Sequence, residues 1–351
     1  MASHDARDSG TGTTRRVATA AIVFAIAGFG VLFFYSDGVK LAQAAANISW
    51  PRFALPLAAT LFSYVLMALS YDGIAAAAGN PLGLVPMLRI TYVSNTVNYL
   101  VATGGISGFA VRMYFFRRHG IPMGRAVTIS FVQGLLTNLA LLVFLVMGFY
   151  FLVLHQALGP AALAAAGGLL GIFILIMGLC VVLLVNPKAR RSVLLWAGDA
   201  ADRLTDRFLP EHRSPRRFHI WRILHNVDDG FRFMVANWKS MLVPTIWILL
   251  DWVATLAVLW GCFWSVGLYV APALITVGFS VAILSSMVSL APGGLGIMES
   301  LTTALFATLG TPLAPTVIAL ILFRISYYAL PFLISLVFFR RMLHDARAHS
   351  N

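Results

Sequence analysis

Apolar runs of 18 or more residues recur from Val17 to Phe339, separated by short stretches where Arg, Lys, Pro and Gly gather. A helix rises about 1.5 Å per residue, so about 20 apolar residues cross a hydrocarbon core about 30 Å thick. The pattern predicts spanning helices near 17–35, 53–71, 122–154, 161–185, 241–264 and 314–339. Two further apolar regions, 84–118 and 271–313, do not fit one helix each. They are interrupted by Gly104-Gly105 and Gly293-Gly294, the second pair reinforced by Pro292. Each interior glycine costs a helix about 1 kcal/mol, and proline costs more. Both regions therefore predict broken hairpins.

Charge orients these elements. Arg117, Arg118 and Arg125 belong on the cytoplasmic side, and the uncharged connections 156–160, 265–270 and 311–313 belong outside. With the N-terminus inside, this holds only if 84–118 enters and returns on the cytoplasmic side and 271–313 on the outer side. The two Gly pairs lie 189 positions apart (104 and 293), and shifting the span at 53 by 189 gives 242, next to the span at 241. A pattern of span, hairpin, span thus occurs twice, in opposite orientation because one odd helix joins the copies. The local text agrees: SNTVNYLVATGGISG (94–108) beside SSMVSLAPGGLG (285–296). Inverted repeats with broken helices point to a transporter whose site lies near the midplane between the repeats.

The expected fold class is all-α: a polytopic helical membrane protein with about six full spans and two broken re-entrant hairpins arranged as inverted repeats. Its expected organisation begins with a disordered cytoplasmic tail, 1–16, then a first, uncleaved helix and outer loop, 17–52. Repeat A follows at 53–154 with hairpin 84–118, then a linking helix and a basic amphipathic cytoplasmic loop at 155–240. Repeat B occupies 241–339 with hairpin 271–313, and a cytoplasmic tail closes the chain at 340–351.

Composition excludes a soluble domain: 60% of residues are hydrophobic and 11% charged, where soluble domains are about half apolar and a quarter charged. The net charge of +12 would suggest nucleic acid in a soluble chain. Here eleven of the 25 basic residues fall in one loop, between Lys188 and Lys239. That distribution implies membrane orientation and an anionic lipid surface as partner, not nucleic acid. Within that loop Leu194, Leu195, Trp196, Leu204 and Phe208, then Phe218, Trp221, Leu224, Val227, Phe231 and Val235, recur at helical spacing. They predict helices lying in the cytoplasmic interface, with turns at Asp228-Asp229-Gly230 and at Pro210 to Pro215. Cys180 and Cys262 lie in apolar runs and read as packing. His212, His219 and His225 lack carboxylate or Cys partners in a ligand pattern, so no metal and no cofactor are expected.

Charges inside membrane segments are the informative set, since each costs roughly 2.5–3.5 kcal/mol at a helix centre on the insertion scale. Asp72, Arg89, Arg112, Asp251, Glu299 and Arg324 qualify. Asp72 and Arg89 sit near segment ends, from which they can snorkel. Asp251 and Arg324 lie deeper, and pairing with each other would satisfy both, as structural ion pair or as substrate contact. Arg112 and Glu299 each follow a Gly break. Half-helices starting near Ser107 and Leu295 would aim free N–H groups into the interior, where such ends bind phosphate. Arg112 would add a forked donor for a phosphodiester, and Glu299 a negative partner for an amine or a proton. The competing reading neutralises Glu299 on Arg112 or Arg324. Asn98 and its neighbouring amides and hydroxyls serve either a polar path or helix packing, and the Gly104/Gly108 spacing likewise. Neither a G-x-S-x-G elbow, a P-loop nor an H-E-x-x-H is present.

The run Val288-Ser289-Leu290-Ala291-Pro292-Gly293-Gly294-Leu295-Gly296-Ile297-Met298-Glu299 is the most distinctive text in the chain. With Asn98 to Arg112 and with Arg324 followed by Tyr327 and Pro331, it resembles the lysylphosphatidylglycerol synthase transmembrane-region family, over about 17–340. The resemblance implies a flippase-like bacterial cytoplasmic-membrane protein, termini inside, that moves phospholipid or lipid-linked headgroups between leaflets. In full-length synthases an aminoacyl-transferase domain follows. Here the chain runs twelve residues past Phe339, so no enzyme activity is expected of this polypeptide. The residues expected to serve the substrate are Arg112, Glu299, Asn98, Gly104, Gly105, Gly108, Pro292, Gly293, Gly294, Gly296, Asp251 and Arg324. Two other functions fit the same sequence: a non-catalytic partner that recruits an envelope-lipid enzyme through the basic loop, and a transferase acting on a lipid carrier. Homo-oligomerisation is left open.

Overall fold

The computed structural model describes residues 38–100, 106–154, 159–193, 195–196, 199, 228–288 and 296–348. Among them there is no strand. The helices are α1 (Gly38–Ala46), α2 (Trp50–Ala77), α3 (Leu84–Leu100), α4 (Ile106–Arg118), α5 (Met123–Leu154) and α6 (Pro160–Val185). After the linker come α7 (Leu242–Ser265), α8 (Pro272–Val288), α9 (Ile297–Thr308), α10 (Leu313–Arg324) and α11 (Leu330–Ala348). A 3-10 turn, Trp238–Met241, leads into α7, and a π segment, Ile325–Ala329, joins α10 to α11. Among the described residues, five stretches are long and apolar enough to cross a membrane: Trp50–Ala77, Met123–Leu154, Pro160–Val185, Trp238–Ser265 and Leu313–Phe339. The chain is thus an all-α, multi-pass membrane protein. The expected span at 17–35 lies outside the described residues.

Local chemistry sets the boundaries. Pro51 opens α2, where its missing N–H is not needed. Gly79, at φ +75, ends the helix by turning the chain left-handed, and Asn80 N–H then reaches back to Ala75 O. Asp72 accepts from the backbone N–H groups of Leu82 and Gly83, both at 2.9 Å, and so fixes the connection into α3. Helix α6 is apolar on every side. It buries Leu170, Phe173 and Met177 and exposes Ile172, Leu175 and Leu179, as a lipid-facing helix does.

The centre of the molecule is the pair α2 and α7, which run antiparallel. Ser49 N–H, before α2, donates to Ser265 O at the end of α7 at 2.8 Å. A Cβ on Gly261 would meet Pro56 at 3.0 Å, and one on Gly73 would meet Pro244 at 2.9 Å, so only glycine admits each proline ring. Midway between these contacts Ser63 donates to Asp251 at 2.5 Å. All three matches, 56 with 244, 63 with 251 and 73 with 261, keep one separation of 188 positions. Helices α3 (84–100) and α8 (272–288) keep it too. Contacts follow the same rule: α3 packs on α4 and on α11, while α8 packs on α9 and on α5.

Each interrupted region is therefore a helix pair, α3 with α4 and α8 with α9. The links between them, with Gly104, Gly105, Pro292, Gly293 and Gly294, lie outside the described residues. One apolar cluster gathers α2 to α5 around Met87, Ile90, Phe116 and Ile129. Another gathers α5 and α7 to α10 around Leu145, Phe263, Phe279 and Phe306.

The linker departs from expectation at Asp228-Asp229-Gly230, which are helical, within 228–236, and form no turn. Arg190 Nε donates to Asp228 at 2.5 Å and Arg232, one turn on, reaches its second oxygen at 2.9 Å. The side chain is thus engaged by cations and does not close a turn on its own backbone. Gly230 packs against Thr128 of α5, so its smallness serves close approach. Phe231 and Met234 are buried in the first cluster, which docks this stretch on the bundle.

A buried polar centre between two hairpins

Helix α9 begins after Gly296, whose φ of +83 favours glycine. Three residues on, Glu299 folds back and accepts the Gly296 N–H at 2.8 Å through one oxygen. Its other oxygen accepts from Arg324 Nε. Glu299 is 3% exposed and Arg324 7%, so both charges are out of water and compensate each other. The guanidinium carbon lies 4.3 Å above the Tyr328 ring, and Nη2 faces Met298 Sδ at 3.5 Å. Arg324 closes α10 where the π segment starts, and the wider turn carries Tyr327 and Tyr328 into the interior.

Asp251 forms the second part of this centre. It is buried at the middle of α7 and holds the Ser63 hydroxyl, while Thr255 donates to the Asp251 carbonyl at 2.9 Å and lies 3.4 Å from the Tyr327 hydroxyl. Tyr64 stacks on Tyr92 at 4.2 Å, and Tyr99 approaches Tyr328 at 4.8 Å and Tyr327 at 6.5 Å. The Tyr64 hydroxyl is buried with no hydrogen-bond partner among the described residues.

Arg112 lies apart from both, on α4. Its guanidinium carbon is 4.6 Å from the Tyr71 ring centre, and its buried Nε has no hydrogen-bond partner among the described residues. Gly108, one turn earlier, lets α4 close on α3: a Cβ there would stand 2.7 Å from both Asn98 Cβ and Ser94 O. The Asn98 carbonyl oxygen is likewise buried without a partner, as are the hydroxyls of Thr91 and Thr96 on α3 and of Thr302 and Thr303 on α9. Unsatisfied polar atoms thus gather on the two helix pairs. A native interior leaves few such groups without protein, water or ligand.

The structure corrects the pairing expected from sequence. Arg324 meets Glu299, whereas Asp251 meets Ser63; the two deep residues do not pair with each other. Glu299 also occupies an N–H of its own helix start, so that end is not wholly free for phosphate. Arg112 and Glu299 form no ion pair. Sequence reading missed Ser63, Tyr64, Tyr71, Tyr92 and Tyr99. A signal for one existed: a shift of 188 carries Asp251 onto Ser63, while the shift of 189 taken from the glycines lands on Phe62.

The chain is 26% identical over 278 residues to a phosphatidylglycerol lysyltransferase of Staphylococcus aureus (strain MRSA252), covering 78% of this chain and 27% of that protein. The strain COL protein of the same name is 27% identical over the same shares. That of Staphylococcus haemolyticus (strain JCSC1435) is 23% identical over 256 residues, covering 72% of this chain and 25% of the relative. The chain thus spans 25–27% of the length of these relatives. Residues 19–335, a stretch running from before α1 into α11, match the lysylphosphatidylglycerol synthase transmembrane region, and the chain belongs to that family.

Proposed function

We infer that this protein is a phospholipid translocator, in which two inverted repeats, each a span, a re-entrant hairpin and a second span, carry a lipid headgroup past a polar centre near the bilayer midplane. The observation that carries the reading is Arg112: a half-buried arginine whose buried Nε has no hydrogen-bond partner among the described residues, on a half-helix tightly packed against Asn98. A phosphodiester would satisfy it with a forked, charge-assisted contact. The antiparallel α2 and α7, matched at a constant separation, support the inverted repeats, and unsatisfied hydroxyls along α3 and α9 support a polar path. The names of the relatives point to phosphatidylglycerol or its aminoacylated form as the lipid class. The positive-inside rule favours a cytoplasmic basic linker and C-terminus and, with the expected span 17–35, a cytoplasmic N-terminus, in a bacterial inner membrane. The reading concerns movement of the lipid and not its aminoacylation.

Purified protein in liposomes with headgroup-labelled phosphatidylglycerol, phosphatidylethanolamine and lysyl-phosphatidylglycerol, followed by dithionite quenching, tests it. Loss of the protected inner-leaflet signal is expected with wild type and not with Arg112→Ala. Full translocation by folded Arg112→Ala would overturn the site.

A further inference from the structure

Asp251 is the fourteenth of 28 residues in the span Trp238–Ser265, and Ser63 is the fourteenth of 28 in Trp50–Ala77. The two meet at the crossing of α2 and α7, each seven positions from the proline and ten from the glycine of its own helix that make the flanking contacts. No ion pair reaches this carboxyl among the described residues. The charged and titratable groups around it account for that. From α2 come Ser63 and Tyr64, from α3 Tyr99, and from the π segment Tyr327, all neutral hydroxyls. The charges of α2 lie at its ends, Arg52 over Trp264 and Asp72 on the N–H groups of Leu82 and Gly83. Arg324, which ends α10, is committed to Glu299. Helix α5 carries a single charge, Arg125 in its first turn, α8 carries none, and Lys239 precedes Asp251 by twelve positions.

A carboxylate buried at such a point has no counter-ion among the described residues, and one hydroxyl donor cannot compensate its charge. Binding a proton removes that charge, and Ser63, whose hydroxyl both donates and accepts, can serve either form. Glu299 is different, because Arg324 already compensates it. We propose that Asp251, with Ser63 at the crossing of α2 and α7, is a proton-binding site, and that its loading and release are coupled to lipid passage. When the site loads, a hydronium ion on one face gives up a proton, leaving water, and an O–H bond forms on the carboxyl; when it releases, that O–H bond breaks and the proton passes to water on the other face. A motion that parts α2 from α7 opens the site, since both partners lie on the contact itself. The coupling rests on the transport reading, whereas the proton site does not.

The experiment has two arms. Infrared difference spectra of the protein in lipid, recorded across a pH series, should contain a protonated-carboxyl carbonyl band that is lost in Asp251→Asn. In the double variant Ser63→Asp with Asp251→Ser, which exchanges the two residues across the crossing, the band should return. Its persistence in folded Asp251→Asn, or its absence from wild type at every pH, would overturn the proton site. In the second arm, liposomes receive an imposed pH gradient with the membrane potential clamped by valinomycin and potassium. One proton per lipid gives about tenfold lipid asymmetry per pH unit, since a unit corresponds to a factor of ten. That asymmetry should vanish with a protonophore and in Asp251→Asn. Translocation without asymmetry, or asymmetry driven equally by a sodium gradient at fixed pH, overturns the coupling and leaves the transport reading standing. A responsive carboxyl band in a protein that moves no lipid overturns the transport reading, and the coupling with it, while the proton site stands.

Discussion

The two hairpins occupy matching stations in the chain but solve the problem of a buried charge in opposite ways. In the second, Glu299 is enclosed by Arg324 and by the N–H of its own helix start. In the first, among the described residues Arg112 has an aromatic face but no anion, and its Nε is unsatisfied. A satisfied pair holds structure together, whereas an unsatisfied cation is a demand for a ligand. On the proposed reading, one half supplies rigidity and the other affinity.

This contrast breaks most readily under charge removal. Glu299→Gln should destabilise the protein by about 3–5 kcal/mol, because it leaves Arg324 buried without compensation. Replacing both residues together, Glu299→Gln with Arg324→Met, should recover most of that loss, as read by thermal denaturation in detergent. Arg112→Ala should instead leave thermal stability within about 1 kcal/mol, since no hydrogen-bonded or ionic partner is stranded among the described residues, and should abolish translocation. Equal destabilisation by Glu299→Gln and Arg112→Ala would erase the difference between the halves. Gly108→Ala comes next. Its Cβ collides with Ser94 O and Asn98 Cβ at 2.7 Å, and such overpacking costs about 1–3 kcal/mol. Ser70→Ala, which removes the 2.8 Å bond to Gln133 that joins α2 to α5, should cost only about 0.6 kcal/mol.

The smallest effect concerns the linker that joins the halves. Burial pushes the Asp228 carboxyl up, but the hydrogen bond and charge of Arg190, with the charge of Arg232, more than reverse this, so it titrates below the usual range. A depressed carboxylate stabilises the fold at neutral pH and loses that contribution as pH falls through its folded value. Hydrogen exchange at 187–193 and 228–236 should therefore be slower in wild type than in Asp228→Asn near neutrality, and the difference should close on acidification.

Much of this architecture was legible in the chain. Five spans follow from hydropathy alone, because the bilayer sets a minimum apolar length that few other structures satisfy. The helix breaks follow from glycine pairs and Pro292. Partner choice did not follow. Whether Arg324 faces Glu299 or Asp251 depends on how helices rotate against each other, and hydropathy that is apolar all round carries no rotational signal. The tyrosines were hidden for a related reason: in a membrane segment an aromatic ring suits lipid, packing or a polar centre equally well.

On the inverted-repeat reading, the contact between Ser63 and Asp251 bears on how such a protein arises. A homodimer built from one half would have to place the same residue twice at this crossing. Two aspartates would repel each other, and two serines would carry no charge. Joining the halves in one polypeptide frees the two positions to diverge, so that a carboxyl can face a hydroxyl on an axis where strict symmetry forbids any difference.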